Sequence, residues 1–160
     1  MKVAELAADH AFLFLWATGP KLELAFDLIR CWGFTYKTVH HVWAKTYAGG
    51  AAVVGAGYYT RPSCEFVLVG TRGSPLGRFN LDRSIPQLIH AYRSPVHSEK
   101  PPEVFDAIEL FAEKATHKIE LFARRRRIGW DVWGKEVVHI SKRKRGARKR
   151  RINLDVFLLP

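Results

Sequence analysis

Apolar positions along this chain repeat with two periods, and the switches between them predict alternating strands and helices. Residues 11–17 (AFLFLWA) are apolar without interruption, the pattern of a strand buried on both faces. Thr18-Gly19-Pro20 offers an N-cap followed by proline in a first helical turn. Leu22, Ala25, Phe26, Ile29 and Trp32 then recur at helical spacing, and Gly33 supplies the stop. Residues 35–46, rich in β-branched and aromatic side chains, read as a second strand. Residues 47–61 set Gly49, Gly50, Gly55 and Gly57 among small residues and tyrosines, which predicts a mobile loop. A third strand is expected at 65–70 (EFVLVG), followed by an irregular stretch, 71–100, broken by Pro75, Pro86 and Pro95. Pro101 opens a helix with Val104, Ala107, Ile108, Phe111 and Ala115 on one face, and 118–123 is a fourth strand. This alternation predicts an α/β layered fold with a largely parallel sheet. Residues 152–160 turn apolar again and are able to dock back on the domain.

Charge adds an asymmetry that the apolar pattern does not contain. Through Ala123 there are 13 Lys/Arg against 12 Asp/Glu, whereas from Arg124 onward there are 13 against 3. Nearly all of the formal charge of +11 therefore lies in the last 37 residues. The division expected is a domain over residues 1–140 and a basic tail over 141–160, with eight Lys/Arg between 141 and 151. Such a tail suits a polyanion, nucleic acid before membrane, because no amphipathic helix or lipidation signal accompanies it. A solubilising tail is the plainer alternative. Cys31 and Cys64 lie in apolar runs and read as buried, reduced thiols of a cytoplasmic protein. No secretory signal or membrane span is read; 11–17 is too short to cross a bilayer.

The densest chemical signal is 118–134 (KIELFARRRRIGWDVWG), where an apolar strand runs into Arg124, Arg125, Arg126 and Arg127 and then a glycine and two tryptophans. Ligands of α/β sheets bind beyond the carboxyl ends of strands, and this is such an end. No glycine-rich phosphate loop and no nucleophile elbow is present. No His/Cys set has metal spacing: His40 and His41, adjacent in a strand, should point to opposite faces. His97 and His117 read as ordinary surface or core histidines. On residues alone an enzyme is only weakly indicated.

Seven blocks in order carry a resemblance: LAADHAFLFLWAT (6–18), FDLIRCWGFTYKT (26–38), VWAKT (42–46), GYYTR (57–61), EFVLVGTRG (65–73), HSEKPPEVFDAIE (97–109) and KIELFARRRRIGWDVWGKEV (118–137). Together they resemble the MT-A70 family of S-adenosylmethionine-dependent adenine-N6 methyltransferases, in its bacterial and phage form. The resemblance implies a Rossmann-like methyltransferase sheet with permuted motif order and S-adenosylmethionine as cofactor. It implies nucleic acid as substrate, DNA rather than RNA, and a possible homo- or heterodimer with a related subunit. Carried over by position, Lys100 would meet the cofactor's carboxylate, Phe122 would line the pocket, and Arg124, with Arg126 and Arg127, would contact the ribose. Without the resemblance, Lys100 reads as a solvated lysine before a helix, and Arg125, Arg126 and Arg127 as a phosphate-facing or solvated run. Lys135 falls where relatives have asparagine and can only donate, whereas Glu136 can accept from a ribose hydroxyl. Trp130 and Trp133 are expected to pack. Arg61 and the tail residues Lys142, Arg143, Lys144, Arg145, Arg148, Lys149, Arg150 and Arg151 are the expected nucleic-acid contacts.

One family block is missing. Asp-Pro-Pro-Trp, which the resemblance implies for gripping the target adenine, occurs nowhere in the 160 residues, so no catalytic residue is assigned. The strand that carries it in the family would lie between the 118–123 strand and the 11–17 strand. The expectation is a sheet incomplete on its N-terminal side, with two unpaired central edges. A start placed too late in the gene and a gene fragment are the favoured explanations, ahead of completion by a partner chain. The alternative function is an inactive nucleic-acid-binding subunit.

Overall fold

The computed structural model describes residues 3–77, 79, 81–137 and 154–159. A single turn, α1 (Val3–Leu6), leads into β1 (Ala7–Ala17); α2 (Leu22–Cys31) and β2 (Thr35–Thr46) follow. Beyond the 47–63 loop come β3 (Cys64–Arg72), β4 (Leu88–Tyr92), α3 (Pro102–Phe111), β5 (Lys118–Leu121), β6 (Asp131–Trp133) and β7 (Leu154–Leu159). All seven strands form one sheet in the order β4-β2-β3-β1-β7-β5-β6. The sheet is mixed rather than largely parallel. β3 runs antiparallel to both β1 and β2, while the pairs β1/β7, β7/β5, β5/β6 and β2/β4 are parallel. β2 and β3, neighbours in the sheet, are joined by the 47–63 loop, which contains no crossover helix, and pair antiparallel.

The two central edges expected to be open are closed by this chain itself. β7 lies between β1 and β5, pairing Leu13 with Phe157 and Phe157 with Ile119. Val156, Phe157 and Leu158 are fully buried, as an unbroken apolar run in a central parallel strand should be. Each sheet face has its own core. Phe12, Phe14, Trp43, Val69 and Val156 pack with Val104 and Ile108 of α3 on one face. Leu13, Leu15, Leu68 and Phe157 pack with Ala25 and Ile29 of α2 on the other. Gly33, at φ +79°, ends α2 as expected, whereas Thr18 makes no side-chain cap and instead precedes a short 3-10 turn.

Two local expectations are corrected. His40 and His41 do not point to opposite faces: the register against β3 shifts between Val39 and His41, and this bulge brings the two rings to 4.3 Å between centroids. The cysteines are free, but Cys31 is exposed and Cys64 half-buried, because Cys31 falls on the outer side of α2. β4, inside the stretch expected to be irregular, and β6, a three-residue strand, were not predicted from the apolar pattern. No helix among the described residues is long and apolar enough to cross a membrane.

Candidate active site

Because β1, β2, β7 and β5 are mutually aligned and β3 opposes them, their carboxyl ends and the amino end of β3 share one edge of the sheet. There the register sets Trp43 opposite Glu65. Lys45, two residues on, donates to Glu65 Oε1 at 2.7 Å, and Lys100, just before α3, donates to Oε2 at 2.9 Å. Burial would push the Glu65 carboxyl up, but the hydrogen bonds from Lys45 and Lys100 outweigh it and hold the group below the usual carboxylate range. Two ammonium groups on one carboxylate leave a net positive charge. The indoles beneath support it: Lys45 stands 5.1 Å from the Trp43 ring and Lys100 5.3 Å from the Trp16 ring, and the two rings meet edge to face. Trp43 donates to the Ala91 carbonyl, while the indole N–H of Trp16 is buried with no partner among the described residues.

The arginine turn builds a second wall. Ala123 N–H donates to the Trp133 carbonyl at 2.9 Å, and Gly134 lies so close that a Cβ there would stand 2.2 Å from the Ala123 carbonyl oxygen. This tight backbone crossing sets Glu136 beside Arg124, with Nε to Oε1 at 3.2 Å. The Arg124 guanidinium also donates to the His97 carbonyl. Arg125 pairs with Glu99 at 3.4 Å, and Arg127 reaches Asp106 at 3.6 Å while stacking 4.1 Å over Phe105. Glu120, on β5, is buried under the turn. Burial pushes its carboxyl up, and the guanidinium groups of Arg127 and Arg125 act against that.

Among the described residues, two clefts open at this edge. One of about 440 Å³ is lined by Glu120, the four arginines and Glu136, and one of about 260 Å³ by the ends of β1 and α2 together with Glu65. Lys100 lines both. Of the residues singled out from sequence, Lys100, Arg124, Arg126, Arg127 and Glu136 thus come together at the larger cleft. Phe122 and Lys135 do not line it. Phe122, at φ +61° and half exposed, meets Trp133 edge to face, and Lys135 is exposed. Trp130 is buried in the core, as expected of a packing residue. Arg61 is exposed, and the tail residues Lys142 to Arg151 lie outside the described residues. Sequence reading missed Lys45, Glu65 and Glu120. Their signal is a charged residue inside or at the edge of an apolar strand, which in a buried setting must be partnered.

S-adenosylmethionine offers a carboxylate, a ribose diol and an adenine. The residues present fit it: surplus positive charge at Lys100, a guanidinium and a carboxylate at the larger cleft, and a buried, unpartnered indole N–H beside the smaller one.

A mixed α/β sheet flanked by helices, with its clefts where parallel strands end, defines a Rossmann-like domain of the methyltransferase kind. The chain belongs to the MT-A70 family, whose model matches residues 1–136. These are adenine-N6 methyltransferases whose methyl donor is S-adenosylmethionine. Among its relatives, the Type II methyltransferase M.MunI of Mycoplasma sp is 42% identical over 86% of this chain and 55% of its own length. The N(6)-adenosine-methyltransferase catalytic subunit METTL3 of Homo sapiens is 34% identical over 72% of this chain and 20% of its own. A probable N(6)-adenosine-methyltransferase MT-A70-like protein of Oryza sativa subsp. japonica is 31% identical over 94% and 21%. The chain thus spans about half of M.MunI and about a fifth of the other two.

Proposed function

We propose that this chain forms the cofactor- and base-binding core of an S-adenosylmethionine-dependent adenine-N6 methyltransferase acting on DNA. The observation that carries the reading is the sharing of Lys100 by two clefts at one sheet edge. Two adjoining sites are what group transfer between two bound molecules requires. In this reading Arg124 and Glu136 orient the ribose in the larger cleft, one donating and one accepting. Lys100 faces the carboxylate, and Glu65 fixes the Lys100 ammonium against Lys45. The bound cofactor supplies an electrophilic methyl group. The indoles of Trp16 and Trp43 exclude water from the boundary between the clefts, so that charge there acts at low dielectric. An adenine in a duplex would have to leave the stack to reach the smaller cleft. DNA is favoured over RNA by the higher identity to M.MunI than to METTL3, and the Lys/Arg tail suits the phosphate backbone of either.

Calorimetry tests the cofactor half: wild type should bind S-adenosylmethionine, and Arg124→Ala should bind it at least tenfold more weakly. Transfer of labelled methyl to duplex DNA and to RNA then tests the substrate, and incorporation into RNA alone would reject DNA. One observation favours a second reading, a nucleic-acid-binding subunit without transfer activity. The slot between β1 and β5 is filled by β7, whose residues LDVFLL carry no Asp-Pro-Pro-Trp. A strand supplied by an upstream segment or a partner chain would have to displace β7. Cofactor binding without methyl transfer to either nucleic acid would support that reading.

A further inference from the structure

The methyltransferase reading leaves one feature of the β2–β3 loop unused. Tyr58 and Tyr59 are fully exposed, with relative residue accessibilities of 105% and 102%, so neither ring packs on the protein. The glycines around them do not simply loosen the chain. A Cβ on Gly57 would stand 2.2 Å from the Thr60 carbonyl oxygen, and one on Gly55 2.7 Å from that of Pro62. Gly55 N–H donates to the Pro62 carbonyl at 3.0 Å, so the backbone doubles back and closes below the two tyrosines. The base of the loop is also fixed. Val53 is buried and donates to the Lys45 carbonyl at 2.8 Å, and Lys45 N–H donates to Ser63 at 2.9 Å. Both legs therefore rise beside the Lys45–Glu65–Lys100 cluster, with exposed Arg61 on the return.

Two aromatic rings held wholly in water gain nothing in the free protein and mark a contact surface. Bare ring faces next to a guanidinium suit unpaired bases on a phosphate backbone, since every base offers a π-face and every linkage an anion. We infer that the tip is a stacking wedge. Tyr58 and Tyr59 stack on bases beside the target nucleotide, and Arg61 takes a neighbouring phosphate. For its substrate class this rests on the methyltransferase reading, and it deepens that reading by naming the element that holds the strand open. An extruded adenine leaves unstacked neighbours, and the wedge replaces the lost stacking.

The test uses the full chain with single-stranded and duplex DNA oligonucleotides carrying 2-aminopurine. Tyr58→Ala with Tyr59→Ala should weaken single-strand binding about tenfold or more per ring and abolish the change in 2-aminopurine emission. Tyr58→Phe with Tyr59→Phe should keep both, because stacking needs the ring and not the hydroxyl. The salt dependence of binding should be unchanged in the alanine pair, whereas Arg61→Ala should lower its slope by about one. Melting temperature should not move in any of them, since the rings touch nothing. An alanine pair that binds DNA as wild type does overturns the wedge. A wild-type chain that binds no strand overturns it as well. Calorimetry reports separately on the underlying reading: a chain that stacks bases but binds no S-adenosylmethionine keeps the wedge and loses the methyltransferase.

Discussion

Asp155 Oδ2 accepts the backbone N–H of His117 at 3.2 Å, and this contact fixes the register of the strand that closes the sheet. The same oxygen takes the Thr116 N–H at 3.3 Å and the Thr116 hydroxyl at 3.2 Å. In return the Asp155 and Val156 N–H groups donate to the His117 carbonyl at 2.8 and 3.2 Å. A buried carboxylate with three donors fixes one alignment, and from it Phe157 falls between Leu13 and Ile119.

Removal of that fit should unfold the domain rather than loosen an end. Phe157→Ala opens a cavity between both central neighbours and is expected to cost about 3–5 kcal/mol. Asp155→Ala removes the acceptor of the Thr116 and His117 donors, which sit on exposed residues that water can reach, and should cost about 0.5–1.5 kcal/mol. Urea unfolding followed by tryptophan fluorescence measures both. Midpoints equal to wild type would mean that β7 does not hold the sheet.

Among the described residues, Glu65 is the only counter-charge that Lys45 and Lys100 contact. Glu65→Gln keeps the volume but leaves two ammonium groups facing each other. A cost of roughly 1–3 kcal/mol is expected, less than for a fully buried pair because these side chains keep 11–19% exposure. The folded pKa of Glu65 lies below its ordinary 4.5, so its contribution is present above that pH and lost as pH falls through the depressed folded value. Lys100→Met should fold and weaken S-adenosylmethionine binding about tenfold, or 1.4 kcal/mol, by calorimetry. Equal affinity would remove Lys100 from the carboxylate site.

His40 and His41 predict acid sensitivity of the opposite origin. The ring of His40 contacts Phe14 and Phe111 edge to face, and its Nδ1 is buried without a partner among the described residues. Burial pushes His40 from 6.5 down to about 3, with the charge of His41 adding to it. Burial also lowers His41, with the backbone at Pro86 and Gln87 partly opposing. Both rings are neutral at pH 7. Between pH 6.5 and about 3 the unfolded chain takes up protons that the folded chain refuses, so stability is full above 6.5 and falls with acid, by on the order of 3 kcal/mol at pH 4 for His40. His40→Phe, which can keep the edge-to-face contacts, should flatten the stability-against-pH curve in that window.

How much of this was legible in the sequence depended on the range of the interaction. Apolar runs reported β1, β3 and β5, and helical spacing reported the inner faces of α2 and α3, because burial acts on each residue where it stands. Lys100, Arg124 and Glu136, which line the larger cleft, were singled out by family blocks, not by any local pattern. The bulge at His40 escaped because one inserted residue shifts register without changing composition. Residues 152–160 were read only as able to dock back. Nothing local says that Leu154–Leu159 would take the central slot, since the partners that define it lie 38 residues earlier or further: Asp155 reaches His117, and Phe157 reaches Leu13 and Ile119.

Gly134 gives the most direct test of how the arginine turn is held. A Cβ there would meet Ala123 backbone on three sides, the carbonyl oxygen at 2.2 Å, the nitrogen at 2.8 Å and the carbonyl carbon at 3.0 Å. Backbone cannot rotate aside as a flexible side chain can, and Ala123 is already tied to the Trp133 carbonyl. Gly134→Ala must therefore push the 134–136 turn away from the end of β5, parting Glu136 from Arg124. The expected stability cost is about 1–3 kcal/mol, together with a loss of S-adenosylmethionine affinity at least as large as that of Glu136→Ala. Lys135→Ala, on an exposed side chain in the same turn, should change stability by less than about 0.5 kcal/mol. Gly77→Ala, with open space around the added methyl, controls for loss of glycine as such. A Gly134→Ala protein with normal cofactor affinity would show that the Arg124–Glu136 pair is not what orients the ribose.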